Sequence, residues 1–297
     1  MQPANGDGEP VLPWIVACLS RGSTTDHEMN QVRSLTPDEA ADALKANALL
    51  HALTTADSPY GRLEARLDQF DLGVSSARQS MEAGGLRTSP PLGERFGDVM
   101  SAFGRFINQS PHRLRAVFGR ASAGERAFLA ACKTEYDRAF EYRLAWNLRN
   151  ETEHRTDVLR VTLGQALGQP ARVDTVISDE VLNNALKDTK WQALVREDLK
   201  ERTRPIDAHD VLRVIRGSCQ RIHFSALLAH RGEIERALEI VRELASAAKC
   251  DGQLALVSAR PPDVSVPGSR LTMTIQYLET KAADILAAAL TEGELLL

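Results

Sequence analysis

The 297-residue chain has little of what marks several large classes of enzyme. Aromatic residues make up only 5% of it, and it has no phosphate-cradling glycine loop, nucleophile elbow or paired-carboxylate motif, so kinases, ATPases and α/β-hydrolases are not supported. Its cysteines form no CxxC or Cys/His pair, which argues against structural zinc and suits a reducing compartment. We expect no metal or other cofactor. The four cysteines are Cys18, Cys132, Cys219 and Cys250.

The sequence also lacks a long hydrophobic run. The apolar stretch from Val11 to Leu19 contains Pro13 and is too short for a secretory core or a membrane span. No later stretch reaches about 18 uninterrupted apolar residues, which a spanning helix needs. We therefore expect a cytoplasmic protein with no membrane partner.

Neither sign of charge dominates the chain. The formal net charge is -4, so the molecule as a whole is not a polyanion-binding cation, and any contact with nucleic acid must come from a local basic face. The 43% hydrophobic and 26% charged composition is that of a globular protein, and the abundance of alanine, leucine, arginine and glutamate favours helix.

Helical periodicity covers most of the chain. Capping boxes at Thr36 and Ser122, each with a glutamate three residues later, predict two helix starts. The helix from Ser122 meets no breaker before Gly164 and is predicted to run through or near His154. Further helices are predicted over 59–81, 92–108, 179–186, 191–199, 207–248 and 279–290.

Alternating apolar residues predict a few short strands among these helices. Two lie on either side of 168–170, and two more cover 254–259 and 271–277. The predicted fold class is therefore mainly α, a helical bundle with a small accessory antiparallel β-sheet, mixed α+β overall. We predict three segments: a loosely ordered lead-in at 1–34, a bundle at 35–250 with a short β insertion near 157–178, and a strand pair with a terminal helix at 251–297.

One predicted helix carries a polar stripe that suggests chemistry. Arg143, Asn147, Asn150 and His154 are spaced four, three and four residues apart, so they fall on one helical face. Histidine can move a proton near neutral pH, and arginine can hold the charge of a phosphate in its transition state. These residue types can cleave a phosphodiester without a metal.

Arg149 does not share that face. It precedes His154 by five residues, which is about 140° around a straight helix. Either the helix bends or ends near Glu151, or the site combines residues of two copies. The simpler alternative is a solvated face on which Arg149 pairs with Glu153 at i,i+4.

The segment EYRLAWNLRNETEHR, residues 141–155, resembles the signature of the HEPN superfamily. Proteins of that superfamily are helical bundles marked by an arginine, often followed by a polar residue, and by a histidine after about four to six intervening positions. The downstream segments WQALVREDL (191–199) and QRIH (220–223) resemble the extension of a bacterial branch. The resemblance spans about 122–244 and makes the predicted bundle HEPN-like.

This resemblance implies a metal-independent endoribonuclease, a homodimer in which the motifs of both copies meet. His154 would act as general base or acid at the ribose 2′-hydroxyl or the leaving 5′-oxygen, Arg149 would stabilise charge on the scissile phosphate, and Asn150 would orient the phosphate or the histidine. Arg143 and Asn147 are candidates for support. The expected products are a 2′,3′-cyclic phosphate and a 5′-hydroxyl. A toxin or phage-defence role, with an antitoxin or regulatory protein as partner, is also implied.

Two features depart from the family pattern. Thr156 stands where one branch carries a tyrosine that its partner modifies, so that mode of control is not supported. Glu151 and Glu153 place negative charge where RNA would approach.

Other basic and aromatic residues give weaker signals. A predicted turn holds candidate contacts to RNA phosphates: His112, Arg113, Arg115 and Arg120. His223 and His230 are predicted core or interface residues rather than metal ligands. Two alternatives to a nuclease stay open: a catalytically inactive HEPN-like module that binds RNA or protein, and a structural helical adaptor.

Overall fold

The computed structural model describes residues 13–21, 27–55, 58–84, 91–154, 158–165, 169–202, 205–248, 252–260 and 272–296. Over these ranges the fold is mainly helical with antiparallel β-structure, which confirms the predicted fold class. No helix within them combines the length and the hydrophobicity needed to cross a bilayer. The chain divides into two compact units, which we call the terminal unit (Met1–Thr54 with Arg231–Thr291) and the central unit (Thr55–His230 with Glu292–Leu297).

The described elements follow one another along the chain with short connections. In chain order they are β1 (Ile15–Arg21), β2 (His27–Ser34), α1 (Pro37–Thr54), α2 (Pro59–Glu82), α3 (Leu92–Phe118), α4 (Ala123–Arg138), α5 (Phe140–His154), β3 (Leu159–Gly164), β4 (Arg172–Ile177), α6 (Asp179–Lys187), α7 (Ala193–Glu201), α8 (Ala208–Leu228), α9 (Arg231–Ala248), β5 (Gln253–Arg260), β6 (Thr272–Tyr277) and α10 (Thr280–Leu296).

The terminal unit contains a four-stranded antiparallel sheet in the order β2-β1-β5-β6. On β1, Cys18 lies opposite Asn30 of β2 and Leu254 of β5. Helix α1 packs against α9. The amide of Asn47 in α1 donates to the carbonyl of Tyr277 at 2.9 Å and accepts from the backbone N–H of Glu279 at 2.8 Å, so it ties α1 to the end of β6.

The prediction of a loosely ordered lead-in is wrong for the described residues before 35. Ile15–Arg21 and His27–Ser34 are strands, and Val16 and Ala17 are almost completely buried. Strand β1 pairs with β5, more than two hundred residues later in the chain. A local sequence window does not contain that partner, which is why the pattern was missed.

The central unit is a bundle of α2 to α8 with a β-hairpin. Aromatic side chains of α3 form the centre of its core, where Phe96, Phe103 and Phe106 are fully buried. Strands β3 and β4 pair antiparallel from Leu159 opposite Ile177 to Gly164 opposite Arg172. This hairpin confirms the β insertion predicted near 157–178.

The bundle predicted over 35–250 combines elements of both units, because α1 and α9 belong to the terminal unit. The helix predicted over 207–248 is two helices, since α8 ends at Leu228 and α9 begins at Arg231. Between them His230 is buried, with its ring stacked on Phe118 at 3.6 Å and its Nε2 accepting from the N–H of Gly124 at 3.0 Å. These long-range contacts fix the turn, and the glycine beside it, Gly232, lies inside α9.

The structure gives the state of three of the four cysteines. Cys18 is disulfide-bonded, while Cys132 and Cys219 are free thiols, and Cys250 lies outside the described residues. The reducing compartment inferred from the spacing of the cysteines stays a prediction.

Two helical glycines predict opposite effects of the same substitution. A Cβ at Gly97 in α3 would meet nothing within 4 Å, so Gly97→Ala is expected to stabilise the protein by about 0.5–1 kcal/mol through helix propensity. A Cβ at Gly124 in α4 would lie 2.7 Å from Cδ2 of His230 and 2.9 Å from the carbonyl of Ala226. Gly124→Ala is expected to cost about 1–3 kcal/mol by overpacking. Thermal unfolding of the two variants checks this, and a shift of the same sign in both would contradict the packing around His230.

Candidate functional site

Helix α5 carries the predicted motif and begins at a break. Ala139, between α4 and α5, is extended, with φ −116° and ψ 119°. The carbonyls of Tyr136 and Asp137 accept hydrogen bonds from Nη1 of Arg143 at 2.7 and 3.0 Å. The arginine thereby satisfies oxygens that the last turn of a helix leaves without backbone donors. The uninterrupted helix predicted from Ser122 is therefore wrong.

Arg143 and Asn147 are buried inside the central unit, each 7% exposed. Nε and Nη2 of Arg143 donate to Oδ2 of Asp198 in α7 at 3.0 and 2.8 Å. The amide of Asn147 donates to the carbonyl of Arg143 at 2.9 Å and accepts from the N–H of Gln192 at 3.5 Å. The prediction that they support a phosphate site is corrected, because both side chains join α5 to α4 and α7.

Arg149 has a different environment. It is partly buried, and its guanidinium carbon lies 4.6 Å from the centre of the Trp146 ring. A Cβ at Gly104 of α3 would lie 3.6 Å from its Cδ, an ordinary van der Waals contact, so the arginine stem passes close to α3. Its Nη1 is buried without a hydrogen-bond partner, and no carboxylate among the described side chains forms an ion pair with it.

Asn150 follows Arg149 and is exposed. The next two residues make local contacts. Oε1 of Glu151 accepts from Nε1 of Trp191 at 3.3 Å, and Oγ1 of Thr152 donates to the carbonyl of Arg149 at 2.9 Å. The carboxylate of Glu151 therefore accepts from the indole of Trp191. The exposed polar group next to Arg149 in the sequence is the neutral side-chain amide of Asn150.

His154 is the last residue of α5, and its side chain, like that of Glu153, lies outside the described residues. The helix continues through His154, so positions 149 and 154 remain about 140° apart around its axis. A single copy thus does not bring the two positions to one face of the helix.

The basic segment after Asn108 is helical, because α3 continues to Phe118. The prediction of a basic turn is therefore wrong for His112, Arg113 and Arg115. Nε of Arg115 donates to Oε1 of Glu125 at 2.5 Å, and this hydrogen bond is the main reason that the pKa of the carboxyl is lowered. Arg115 stands eleven residues after Gly104, roughly 16 Å along the helix, so it does not share a phosphate with Arg149.

Sequence reasoning missed a buried carboxylate in α4. Glu135 is 4% exposed and accepts from Nε of Arg221 at 2.8 Å, from Oγ of Ser218 at 2.7 Å and from Nη2 of Arg138 at 2.7 Å. Burial raises the pKa of Glu135, but the hydrogen bonds of Arg221 and Ser218 outweigh it and hold the pKa below the usual value. A signal was present, because Glu135 stands seven residues after Phe128, on the apolar face of its helix.

His230, at the end of α8, is buried as predicted, and His223 in α8 is half-buried. His223 stacks on Tyr60 with 4.2 Å between ring centres, and burial lowers the pKa of His223 to about 4. His230 holds the turn before α9. Among the described residues, no group of three or more histidine, cysteine or acidic side chains is arranged to hold a metal ion.

Comparison of the chain with protein-family models, with curated proteins and with solved structures finds no match. The candidate site is therefore judged on its own geometry. That geometry separates two arginines of one helix: Arg143 is fully engaged in holding the fold, and Arg149 lies on an aromatic ring without an acidic partner among the described side chains.

This difference predicts unequal effects on stability. Arg143→Gln removes one partner of a buried ion pair and the donors to two carbonyls, so we expect a loss of about 3–5 kcal/mol. Arg149→Gln removes a cation–π contact, for which we expect a loss of about 0.5–1 kcal/mol. Urea unfolding followed by circular dichroism measures both, and an equal loss in the two variants would mean that Arg149 is also a structural residue.

The lowered pKa of His223 predicts that stability depends on pH. The folded-state pKa of His223 is about 4, against 6.5 for a free side chain, so the unfolded chain binds the extra proton first. Stability is therefore complete above pH 6.5 and falls as the pH drops from 6.5 toward 4. His223→Phe keeps a ring against Tyr60 and should flatten this part of the curve of unfolding free energy against pH. Identical curves for the two proteins would show that His223 is not responsible.

Proposed function

We propose that this protein is a metal-independent endoribonuclease whose site is built from Arg149, Asn150 and His154 of two copies. The observation that carries the proposal is the state of Arg149: a guanidinium held over Trp146 with a buried, unpartnered Nη1 and no acidic partner among the described side chains. Arg149 is only partly buried, so a phosphate oxygen can approach the rest of the guanidinium and would supply the missing negative charge. The resemblance of residues 141–155 to HEPN proteins agrees with it.

The chemistry is an internal transesterification of RNA. In the first role of His154, its imidazole takes the proton of the ribose 2′-hydroxyl while the 2′-oxygen attacks phosphorus. The bond between phosphorus and the 5′-oxygen breaks, and that oxygen receives a proton from water, to which the imidazolium of His154 returns the proton that it took. Arg149 stabilises the charge on the phosphate oxygens, and Asn150 orients the phosphate or the imidazole. The products are a 2′,3′-cyclic phosphate and a 5′-hydroxyl.

The angular offset along α5 is the argument for two copies. Positions 149 and 154 diverge by about 140° on one helix, but a two-fold axis beside α5 would place Arg149 of one copy near His154 of the other. As further parts of the proposal, the role is that of a toxin or phage-defence nuclease in the cytoplasm, restrained by an antitoxin or regulatory protein.

Cleavage of labelled RNA in excess EDTA tests the chemistry. The wild type should cut with 2′,3′-cyclic phosphate ends, and a 2′-deoxy nucleotide at the scissile position should block it. His154→Ala and Arg149→Ala should each lower the rate by about 10²–10⁴-fold. His209→Ala and Arg213→Ala change an exposed histidine and an exposed arginine of α8 and serve as matched controls. Intact RNA with the wild type would overturn the proposal.

Mixing the two inactive variants tests the shared site. A dimer of one Arg149→Ala chain and one His154→Ala chain contains one site with both residues intact, if each site draws them from different chains. Random mixing should then restore up to about a quarter of the wild-type rate, since half of the dimers are mixed and one of their two sites works. No recovery after subunit exchange would place both residues of a site in the same chain.

The second candidate is a catalytically inactive module of the same fold that binds RNA or protein. One observation favours this alternative. The side chains of Arg143, Asn147 and Arg115 bond within the fold, so three of the predicted contacts to the substrate are lost. A wild type that retains RNA in a gel shift without cutting it, and that is unchanged by His154→Ala, would establish this alternative.

A further inference from the structure

Strand β6 is an edge of the terminal sheet, and its outer side has no strand beside it among the described residues. Its inner side pairs with β5, and the N–H of Leu278 donates to the carbonyl of Leu254 in register with that ladder. Backbone groups of an antiparallel strand point alternately to its two sides. The N–H and C=O groups of Met273 and Ile275 therefore point outward, as does the carbonyl of Tyr277, which meets Asn47.

The same three residues expose an apolar row. Met273, Ile275 and Tyr277 are 48%, 40% and 47% exposed, and they lie on one face of the sheet because they alternate along the strand. This face continues over β5, where the partner of Ile275 is the buried Val257 and the partner of Tyr277 is the buried Ala255. Outward backbone groups and an apolar row thus coincide on one strand.

Edge strands of monomeric proteins are normally protected by charges or proline. The other edge, β2, follows this rule, since it contains Glu28 and Arg33, and Arg33 pairs with Glu39 at 2.7 Å. Strand β6 reads TMTIQY, with no charged residue and no proline. The two edges therefore differ in the feature that prevents pairing with another chain.

We propose that β6 pairs antiparallel with β6 of a second copy of this chain, around a two-fold axis at Ile275. In this register Ile275 faces Ile275, Met273 faces Tyr277 and Thr274 faces Gln276, so each side chain meets a partner of its own kind on the same face. The N–H and C=O groups of Ile275 then bond to those of Ile275 in the second copy. Those of Met273 bond to those of Tyr277, whose carbonyl has a second lone pair beside the one that accepts from Asn47. No charges are opposed, because the strand has none.

The expected association is weak. One six-residue strand buries less than the roughly 800 Å² per partner of a standard interface, so the dimer should form in the micromolar range and depend on concentration. This pairing uses the terminal unit alone and does not depend on the nuclease proposal.

Sedimentation equilibrium of the full chain, with constant reductant, tests the pairing. Ile275→Lys places like charges opposite each other at the axis and should weaken self-association at least tenfold. Met29→Lys makes the same change at a 42% exposed methionine on the other edge strand and should leave it unchanged. Equal effects of the two substitutions, or none of either, would overturn the proposal.

A cysteine cross-link reads the interface directly, whatever other contacts join the copies. Ile275→Cys should form an intermolecular disulfide on mild oxidation, since residues facing each other in a hydrogen-bonded pair have Cα atoms about 5.5 Å apart, within the disulfide range. Met29→Cys should not. A failure of Ile275→Cys to cross-link at concentrations where the protein self-associates would assign the association to another surface.

Discussion

The guanidinium of Arg143 is the contact on which the arrangement of α5 depends. The guanidinium donates to two carbonyls at the end of α4 and pairs with Asp198 of α7. The backbone carbonyl of Arg143 accepts from the side chain of Asn147. Replacing Arg143 and Asp198 by apolar residues would remove the donors to the carbonyls at the end of α4. The ion pair therefore fixes the angle between α4 and α5 as well as contributing to stability. The direction of α5 away from α4, and with it the position of Arg149 against α3, follows from that one side chain.

Local signals in the sequence predicted a large part of the fold. The capping box at Thr36 forms as predicted, with both of its hydrogen bonds to Glu39, because it depends on residues within one turn. At Ser122 the hydroxyl accepts from the N–H of Glu125, but the carboxylate of Glu125 accepts from the N–H of Ala121 instead of that of Ser122. The breaks at Ala139 and before His230 were not predictable in the same way. Each is stabilised by a residue whose partners are set by packing. No glycine or proline stands at Ala139, and the glycine near the second break, Gly232, lies inside α9.

The candidate site shows the same division. The helical wheel placed Arg143 and Asn147 on one face correctly, since that follows from their spacing alone. Which face a helix buries depends on its neighbours, and here α4 and α7 cover it. The prediction therefore grouped Arg143 with Asn147 correctly but assigned these buried structural residues to a phosphate. Arg149, the member that the wheel set apart, is the one left without an acidic partner among the described side chains.

An unsatisfied polar group is costly, and this is why it is informative. A buried donor without an acceptor loses about 1–3 kcal/mol relative to its state in water, and burial beside Trp146 adds no acceptor for Nη1 of Arg149. The neighbouring arginine in the same helix satisfies its donors within the fold, so the helix itself does not prevent this. The outward N–H and C=O groups of β6 are in a different situation, because they lie on an exposed edge strand that water can reach. Leaving that edge open carries no such cost, whereas the unsatisfied Nη1 of Arg149 carries it within the folded chain.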